Sequence, residues 1–225
     1  MPATRTAPFL LLDVNVLEDF LGYEAVVPVT QRERVRAQIG VLHKDLQRHA
    51  FPTVSACDRH EPGDAEFAAQ SLPPHALAGT QGQRKLVEAS RRHAPIIPAH
   101  GRRNPWPKIG ELLEHAGQLI LEKQGFDLFE NPAAREIMRS FGARELILYG
   151  ALFEYDLCQS ALSARTQMLE VTVIEDASAT LDDNRVPEVK GQLARRGVRF
   201  AKTEEVLQRM AEWTKKQARL ERPAS

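Results

Sequence analysis

The sequence predicts an α/β protein with an open, mostly parallel, doubly wound sheet flanked by helices on both faces, a three-layer arrangement of the Rossmann type. Two observations predict it. Short apolar runs alternate five or six times with longer helical segments. Most of these runs are continuously apolar, which is typical of strands whose two faces are both covered.

The apolar runs predict strands at residues 9–14, 51–57, 119–121, 146–150, 171–175 and 198–200. Helices are predicted at 31–49, 83–92, 133–141, 156–169, 186–197 and 203–220, with loops at 58–82 and 94–107. The first long helix is amphipathic, because Val35, Ile39, Leu42 and Leu46 recur at three- and four-residue spacing.

Length and composition predict one domain over residues 1–225, with a core at about 9–202 and a C-terminal helix at 203–220. Lys plus Arg and Asp plus Glu both number 30, and this balance gives no support for nucleic-acid or membrane partners. Cys57 and Cys158 are too few for a disulfide scaffold. Asp13 interrupts the first apolar run, so no signal peptide or membrane span is predicted, and we expect a cytoplasmic protein.

Charged residues stand where three of the predicted strands end. Asp13 ends the first strand, Lys123 follows the third, and Asp156 begins the helix after the fourth. Ligands of doubly wound sheets bind at the carboxyl ends of the strands, so these side chains are expected to converge. An Asp–Lys pair can transfer protons when desolvation shifts the balance between its partners. The same residues would equally form a plain ion pair that ties loops together.

Four groups of motifs follow one another along the chain. They are LLDVNVLEDF (11–20); SACDRH (55–60) with EF (66–67), PPH (73–75) and GTQG (79–82); EKQGFDLF (122–129); and LYGALFEYD (148–156) with VIEDA (173–177). In this order they resemble the isochorismatase-like (cysteine hydrolase) superfamily, which includes the nicotinamidases. The resemblance covers about residues 9–180 and implies the same parallel sheet.

The resemblance also implies a catalytic centre. Asp13 and Lys123 match the Asp and Lys of the family's Asp–Lys–Cys triad, whereas Asp156 falls on the nucleophilic Cys. The backbone N–H groups of Leu152 and Asp156 match those that hold the oxyanion, close to a cis peptide bond near Ala151. The family further implies a small-molecule substrate and a homo-oligomer, either a dimer or a tetramer.

Three functions remain open at this stage. The first is a hydrolase of an amide, ureide or vinyl ether with an Asp13/Lys123/Asp156 centre, in which Asp13 would be a general acid whose pKa is raised by Asp156. The second is a family member that has lost its chemistry and binds a ligand or partner. The third is a thiol hydrolase that uses Cys158, two residues beyond the expected position.

A divalent metal site is a further hypothesis that rests on the resemblance. Asp58, His60, Glu66 and His75 match the positions of the nicotinamidase metal ligands, with Glu66 in place of a His. This set of oxygen and nitrogen ligands suits Zn²⁺, Mn²⁺ or Fe²⁺. The alternative is a loop of polar groups that binds no metal.

Three more residues are weaker candidates for the substrate pocket. Phe20 would contact a planar substrate or belong to the core. Trp106, in a Pro-flanked loop, would cover the pocket or pack beneath the loop. Glu154 precedes Asp156 in the segment that resembles the oxyanion turn.

Overall fold

A seven-stranded, all-parallel sheet confirms the predicted fold class. The structure, a computed structural model, describes residues 7–64, 67–68, 72–99 and 109–220. The strands are Phe9–Val14 (β1), Thr53–Asp58 (β2), Ile96–Ile97 (β3), Gln118–Lys123 (β4), Glu145–Ala151 (β5), Glu170–Ala179 (β6) and Val198–Ala201 (β7). Their order is β3-β4-β2-β1-β5-β6-β7, so the chain reverses its direction of winding between β1 and β5.

Helices cover both faces of this sheet. They are Glu18–Leu21 (α1), Arg32–Arg48 (α2), Ile109–Ala116 (α3), Pro132–Phe141 (α4), Cys158–Thr166 (α5), Val186–Arg195 (α6) and Thr203–Leu220 (α7). Buried side chains of α3, α4, α5 and α6 form one core on what we call the first face. Those of α1, α2 and α7 form another core on the second face. The apolar stripe predicted for α2 is buried on the second face, which explains why this segment is helical.

Three local predictions were wrong. Residues 83–92 form only a short 3-10 turn, Val87–Ala89, because backbone groups of Arg84 and Leu86 bond to the segment after β1 instead of to their own helix. The 94–107 loop contains the two-residue edge strand β3, which is too short for a periodic signal. The third difference lies before α5, where Phe153–Leu157 is a π-helical turn, so Asp156 lies within a π-turn and not at the start of a regular helix.

Strand alternation decides which face each side chain at the carboxyl edge reaches. Asp58 follows Val54 and Ala56 on β2, and both belong to the first core. Lys123 likewise follows Leu119 and Leu121 of the first core. Asp13 follows Leu11, which belongs to the second core. Asp58 and Lys123 therefore lie on the opposite face of the sheet from Asp13.

The helices within the described ranges are too short or too polar to cross a bilayer.

Candidate functional site

Lys123 is the centre of a buried polar cluster on the first face. Its Nζ donates to Asp58 Oδ1 and to Asp156 Oδ1, and to the carbonyl of Gly125 at 3.0 Å. Its side chain is fully buried. An ammonium group has three N–H donors, and all three are used here. The predicted pairing of Lys123 with Asp156 is present, and Asp58 is its second acidic partner.

Asn15 completes this cluster, although no pattern in the sequence had marked it as a candidate. Its Oδ1 accepts the backbone N–H of Asp58 at 2.9 Å, and its Nδ2 donates to Asp58 Oδ2 at 2.6 Å and to Asp156 Oδ1 at 3.1 Å. The backbone of Asn15 is left-handed, with φ of 47°. Asn tolerates that region better than most residues. The turn ends the alternation of β1 and directs Asn15 to the first face.

The carboxylate of Asp156 also contacts the backbone of its own turn. Asp156 Oδ2 accepts the N–H of Leu152 at 3.3 Å. The Ala151–Leu152 peptide bond is cis, as the resemblance implied. Gly150 allows this turn to approach β1, because a Cβ at Gly150 would lie 1.9 Å from the carbonyl oxygen of Val14. The predicted oxyanion donor Leu152 therefore already binds an anion, namely the side chain of Asp156.

The two carboxylates that share Lys123 have opposite pKa shifts. Burial raises the pKa of Asp156 to about 7, with a smaller contribution from the charge of Asp58, although Lys123 acts in the other direction. Burial would raise the pKa of Asp58 as well, but Lys123 and His60 outweigh burial and hold that pKa below its usual range. Asp58 therefore keeps its negative charge, while Asp156 changes protonation near neutral pH.

Asp13 does not join this cluster, which corrects the predicted convergence of three residues. On the second face its Oδ1 accepts from Lys85 Nζ at 2.5 Å, and its Oδ2 accepts from Ser55 Oγ at 2.7 Å. His43 Nε2 lies 3.9 Å from the same Oδ2. The physical reason is the strand alternation: Asp13 still belongs to β1, and only Asn15, beyond the end of the strand, turns to the first face.

The network around Asp13 continues beneath α2. Tyr149 Oη lies 2.9 Å from His43 Nε2, and Gln118 Nε2 donates to Ser55 Oγ at 3.0 Å. Burial lowers the pKa of His43 to about 4, against the pull of Asp13. His43 is thus a neutral buried residue. This network ties the segment with Lys85 to the sheet.

Three of the four predicted metal ligands lie together beside the cluster. One ligand atom each from Asp58, His60 and His75 can be chosen so that all lie within 4.8 Å of one another, and the three residues are buried. Nδ1 of His60 lies 3.0 Å from Asp64 Oδ2, and Nδ1 of His75 lies 2.8 Å from the carbonyl of Pro73. These acceptors place the proton on Nδ1, which leaves Nε2 as the ligand nitrogen. The donor set therefore fits a divalent metal. Glu66 lies outside the described residues.

The weaker candidates have other environments. Phe20 is a core residue that packs edge-on against the ring of His75, with centroids 5.0 Å apart. Glu154 Oε1 accepts the backbone N–H groups of Leu181 and Asp182, at 2.7 Å and 3.3 Å. Glu154 is therefore used to fix the chain after β6. Trp106 lies outside the described residues.

Neither thiol lies in the cluster. Cys158 packs in the apolar core of the first face, and burial raises its pKa. Cys57 points to the second face, where burial raises its pKa to about 12. Reactive thiols need a lowered pKa and access to solvent. These surroundings disfavour the Cys158 hypothesis.

Comparisons with solved structures agree with this architecture. A nicotinamidase/pyrazinamidase from Bacillus subtilis has a TM-score of 0.67 at 18% identity, over 86% of this chain and 99% of that one. An N-carbamoylsarcosine amidase from Thermoplasma acidophilum gives 0.65 at 20%, over 87% and 96%. A pyrazinamidase from Pyrococcus horikoshii, solved in complex with zinc, gives 0.68 at 17%, over 87% and 99%. At such identities the likeness shows the fold alone.

The sequence itself identifies the family. No curated protein matches the chain. A family model described as the isochorismatase domain matches residues 9–205, which include every described residue of both buried networks. The chain belongs to the isochorismatase family.

Proposed function

We propose that this protein is a small-molecule hydrolase in which Asp156, held by Lys123 and Asn15, exchanges a proton with the substrate and no covalent intermediate forms. One observation carries the proposal: the group that is hydrogen-bonded to Lys123 at the carboxyl edge of the sheet is the carboxylate of Asp156, and both thiols lie elsewhere. A carboxylate is a poor nucleophile toward an amide, so a thioester-like route is disfavoured.

The environment of Asp156 suits a general acid. With a pKa of about 7, a substantial fraction of its carboxyl groups is protonated at neutral pH. A general acid is most effective when its pKa lies near the working pH. Lys123 lies beside the carboxylate that remains after the proton has left, and it stabilises that charge. Asn15 fixes the same oxygen by a hydrogen bond.

A vinyl ether is the substrate class that suits such a centre best. Asp156 would protonate the terminal vinyl carbon, which produces an oxocarbenium ion. Water would add to that ion, and the first of its two protons would restore Asp156. The C–O bond of the resulting hemiketal to the leaving alcohol would then break while the second water proton moves from the hemiketal hydroxyl to the leaving oxygen, and a ketone would form, so that atoms and charges balance. Amides and ureides are the second substrate class.

The residues Asp58, His60 and His75 would hold a divalent metal beside this centre. When bound, such a metal would supply Lewis-acid polarisation of a substrate oxygen or of a water. The zinc complex of the Pyrococcus horikoshii pyrazinamidase supports this proposal. His75 is oriented for the task by the Pro73 carbonyl and His60 by Asp64.

The proposed centre therefore differs from the one that the sequence predicted. Lys123 stays in the centre, Asp156 takes the general-acid role that the sequence analysis gave to Asp13, and Asn15 is the third member beside them. Asp13 is proposed as a structural residue that anchors Lys85 on the second face.

Turnover measurements test the proposal. The protein, prepared with and without added Zn²⁺ or Mn²⁺, would be assayed against isochorismate and a panel of amides and ureides. We expect turnover of at least one compound, and its loss in Asp156→Asn but not in the control Asp45→Asn, which changes a partly exposed carboxylate on α2. Equal turnover by the wild type and Asp156→Asn would contradict the proposal.

A second candidate is a binding protein without hydrolytic activity. One observation favours it: the donors of Lys123, of the Asn15 amide and of Leu152 are all taken up inside the cluster. This candidate predicts no turnover of any compound in the panel. It also predicts ligand binding, read as a rise in the unfolding midpoint, that Lys123→Ala does not change.

A further inference from the structure

The geometry points to a carboxylate-binding site that the protein fills with its own side chain. We propose that Lys123 Nζ, Asn15 Nδ2 and the Leu152 N–H form a cradle for a small monocarboxylate, with Asp156 as the internal ligand. The inference rests on the same cluster as the proposed function. Beyond that function, the inference names the class of anion that these donors recognise. It also names the reactions that the donors cannot assist while Asp156 is in place.

Three separate elements supply the donors. Lys123 ends β4, Asn15 follows β1, and Leu152 follows β5. Oδ1 of Asp156 receives the ammonium group and the amide, at 3.1 Å from Asn15 Nδ2, while Oδ2 receives the backbone N–H at 3.3 Å. The three donors together contact both carboxylate oxygens, and one of the donors, the ammonium group, is charged. Such an arrangement provides the recognition that a carboxylate requires.

The cradle does not depend on Asp156 for its shape. Lys123 is also held by Asp58 and by the Gly125 carbonyl. Asn15 is held from both ends of its amide by Asp58. The Leu152 N–H is fixed by the backbone between β5 and the π-turn. Removal of the Asp156 side chain would therefore leave the donors in position, and Lys123 would still have an acidic partner.

The size of the missing group defines the ligand. Replacement of Asp156 by Gly removes a carboxymethyl group, which is equivalent to acetate. The space that remains is buried, because only 3% of Asp156 is exposed. Acetate and formate match this space, whereas a larger acid would collide with the surrounding core. The proposed ligand class is therefore a monocarboxylate of one or two carbons.

The internal ligand has a consequence for the wild-type protein. Amide hydrolysis through a tetrahedral intermediate needs donors such as the Leu152 N–H for its oxyanion. Asp156 occupies that donor, so a substrate oxyanion would have to displace it. A reaction that needs only a proton, such as cleavage of a vinyl ether, has no such requirement. The occupied cradle therefore selects against amides.

Titration of acetate and formate into wild type, Asp156→Gly and Asp156→Asn, followed by calorimetry or by ¹³C NMR of the acid, tests the inference. Asp156→Gly is expected to bind acetate at least tenfold more tightly than the wild type does. Asp156→Asn is the matched control, because its amide still fills the space, and it should show no gain. The double variant Asn15→Leu/Asp156→Gly should lose the binding.

Acetate binding by Asp156→Gly no tighter than by the wild type would overturn the inference. If the Gly variant does not fold, Asp156→Ala in 100 mM formate or chloride provides the same comparison through its unfolding midpoint, because Ala keeps Cβ and leaves a space of the size of formate. Formate should raise the midpoint of this variant and not that of the wild type; equal midpoints in the two salts would again overturn the inference. Binding is measured without turnover, so failure here differs from inactivity of the wild type, which would count against the proposed function.

Discussion

Two buried Lys–Asp pairs lie on opposite faces of the same sheet, and we propose a chemical role for only one of them. Lys123 on the first face bridges two carboxylates beside the candidate metal ligands. Lys85 on the second face pairs with one carboxylate, Asp13, beneath α2.

Residue type and burial do not distinguish the pair with the proposed chemical role from the pair with the proposed structural role. The two lysine side chains are almost equally buried, at 0% and 4% exposure. What differs is the number of acids. Burial raises the pKa of Asp156 to about 7, and the charge of the second carboxylate beside the ammonium group, Asp58, adds to that rise. Asp13 faces Lys85 without a second acid among its described partners.

Replacement of each acid by its amide should separate the two pairs most strongly. Asp156→Asn removes the proposed general acid, so kcat is expected to fall by about 10²–10⁴. Asp13→Asn should leave kcat of the folded protein within about threefold, although it lowers stability. Steady-state kinetics on samples of known folded fraction would check both. Equal losses of kcat in the two variants would contradict the distinction.

Removal of the second-face lysine should affect stability alone. Lys85→Met leaves Asp13 buried without its cation, and the expected loss in the free energy of unfolding is about 3–5 kcal/mol. Denaturant unfolding measures this loss. The double variant Asp13→Asn/Lys85→Met should recover much of it, because no uncompensated charge remains. If fully folded Lys85→Met showed a large fall in kcat, residues of the second face would take part in the reaction, and the distinction would be contradicted.

The neutral His43 should limit stability in acid. Its folded-state pKa of about 4 is lower than the unfolded value of 6.5, because of burial, while Asp13 opposes and Lys85 and Arg91 assist the shift. The unfolded state therefore binds the extra proton first. The contribution of neutral His43 to the free energy of unfolding is complete above pH 6.5. It is lost as the pH falls toward 4, and the total loss is about 3 kcal/mol. In His43→Gln the Gln side chain can still accept a hydrogen bond from Tyr149. The free energy of unfolding of this variant should change less between these pH values than that of the wild type. An unchanged slope would contradict the neutral state of His43.

The position of Asn15 gives a smaller but more specific test. If Asn15 stands where the family triad has its acid, Asp156→Cys alone lacks a base for the thiol. The double variant Asn15→Asp/Asp156→Cys adds an acid at position 15, beside the thiol and in addition to Asp58, and we expect at least tenfold more amidase activity than in the single variant. The double variant Asp13→Glu/Asp156→Cys is a control that should give no gain. Equal activity of Asp156→Cys and the Asn15→Asp double variant would refute the role assigned to this position.

The sequence predicted the sheet and the meeting of Lys123 with Asp156, because apolar runs mark the strands and parallel strands end at one edge. It could not place Asp13, because the alternation of side chains along a strand does not by itself tell which face of the sheet a given residue reaches. The left-handed turn at Asn15 brings Asn15, and not Asp13, to the first face, and the only sequence signal for this turn is the residue type itself.

Lys85 was missed for a related reason. Its segment has the composition of a helix but bonds to the chain after β1, and those long-range hydrogen bonds are invisible to local periodicity. Asp58 was expected only as a metal ligand. Its bonds to Lys123 and Asn15 depend on the neighbouring strands, whose order becomes known only from the structure.

Direct titration of the carboxyl groups tests the central claim, that Asp156 changes its charge near neutral pH. In protein labelled with ¹³C at the Asp carboxyl carbons, NMR between pH 4 and 9 should show one carboxyl resonance with a midpoint near 7. That resonance should be absent from Asp156→Asn and present in Asp13→Asn. A spectrum with no Asp carboxyl titrating above pH 6, or one whose neutral transition disappears in Asp13→Asn, would contradict the claim.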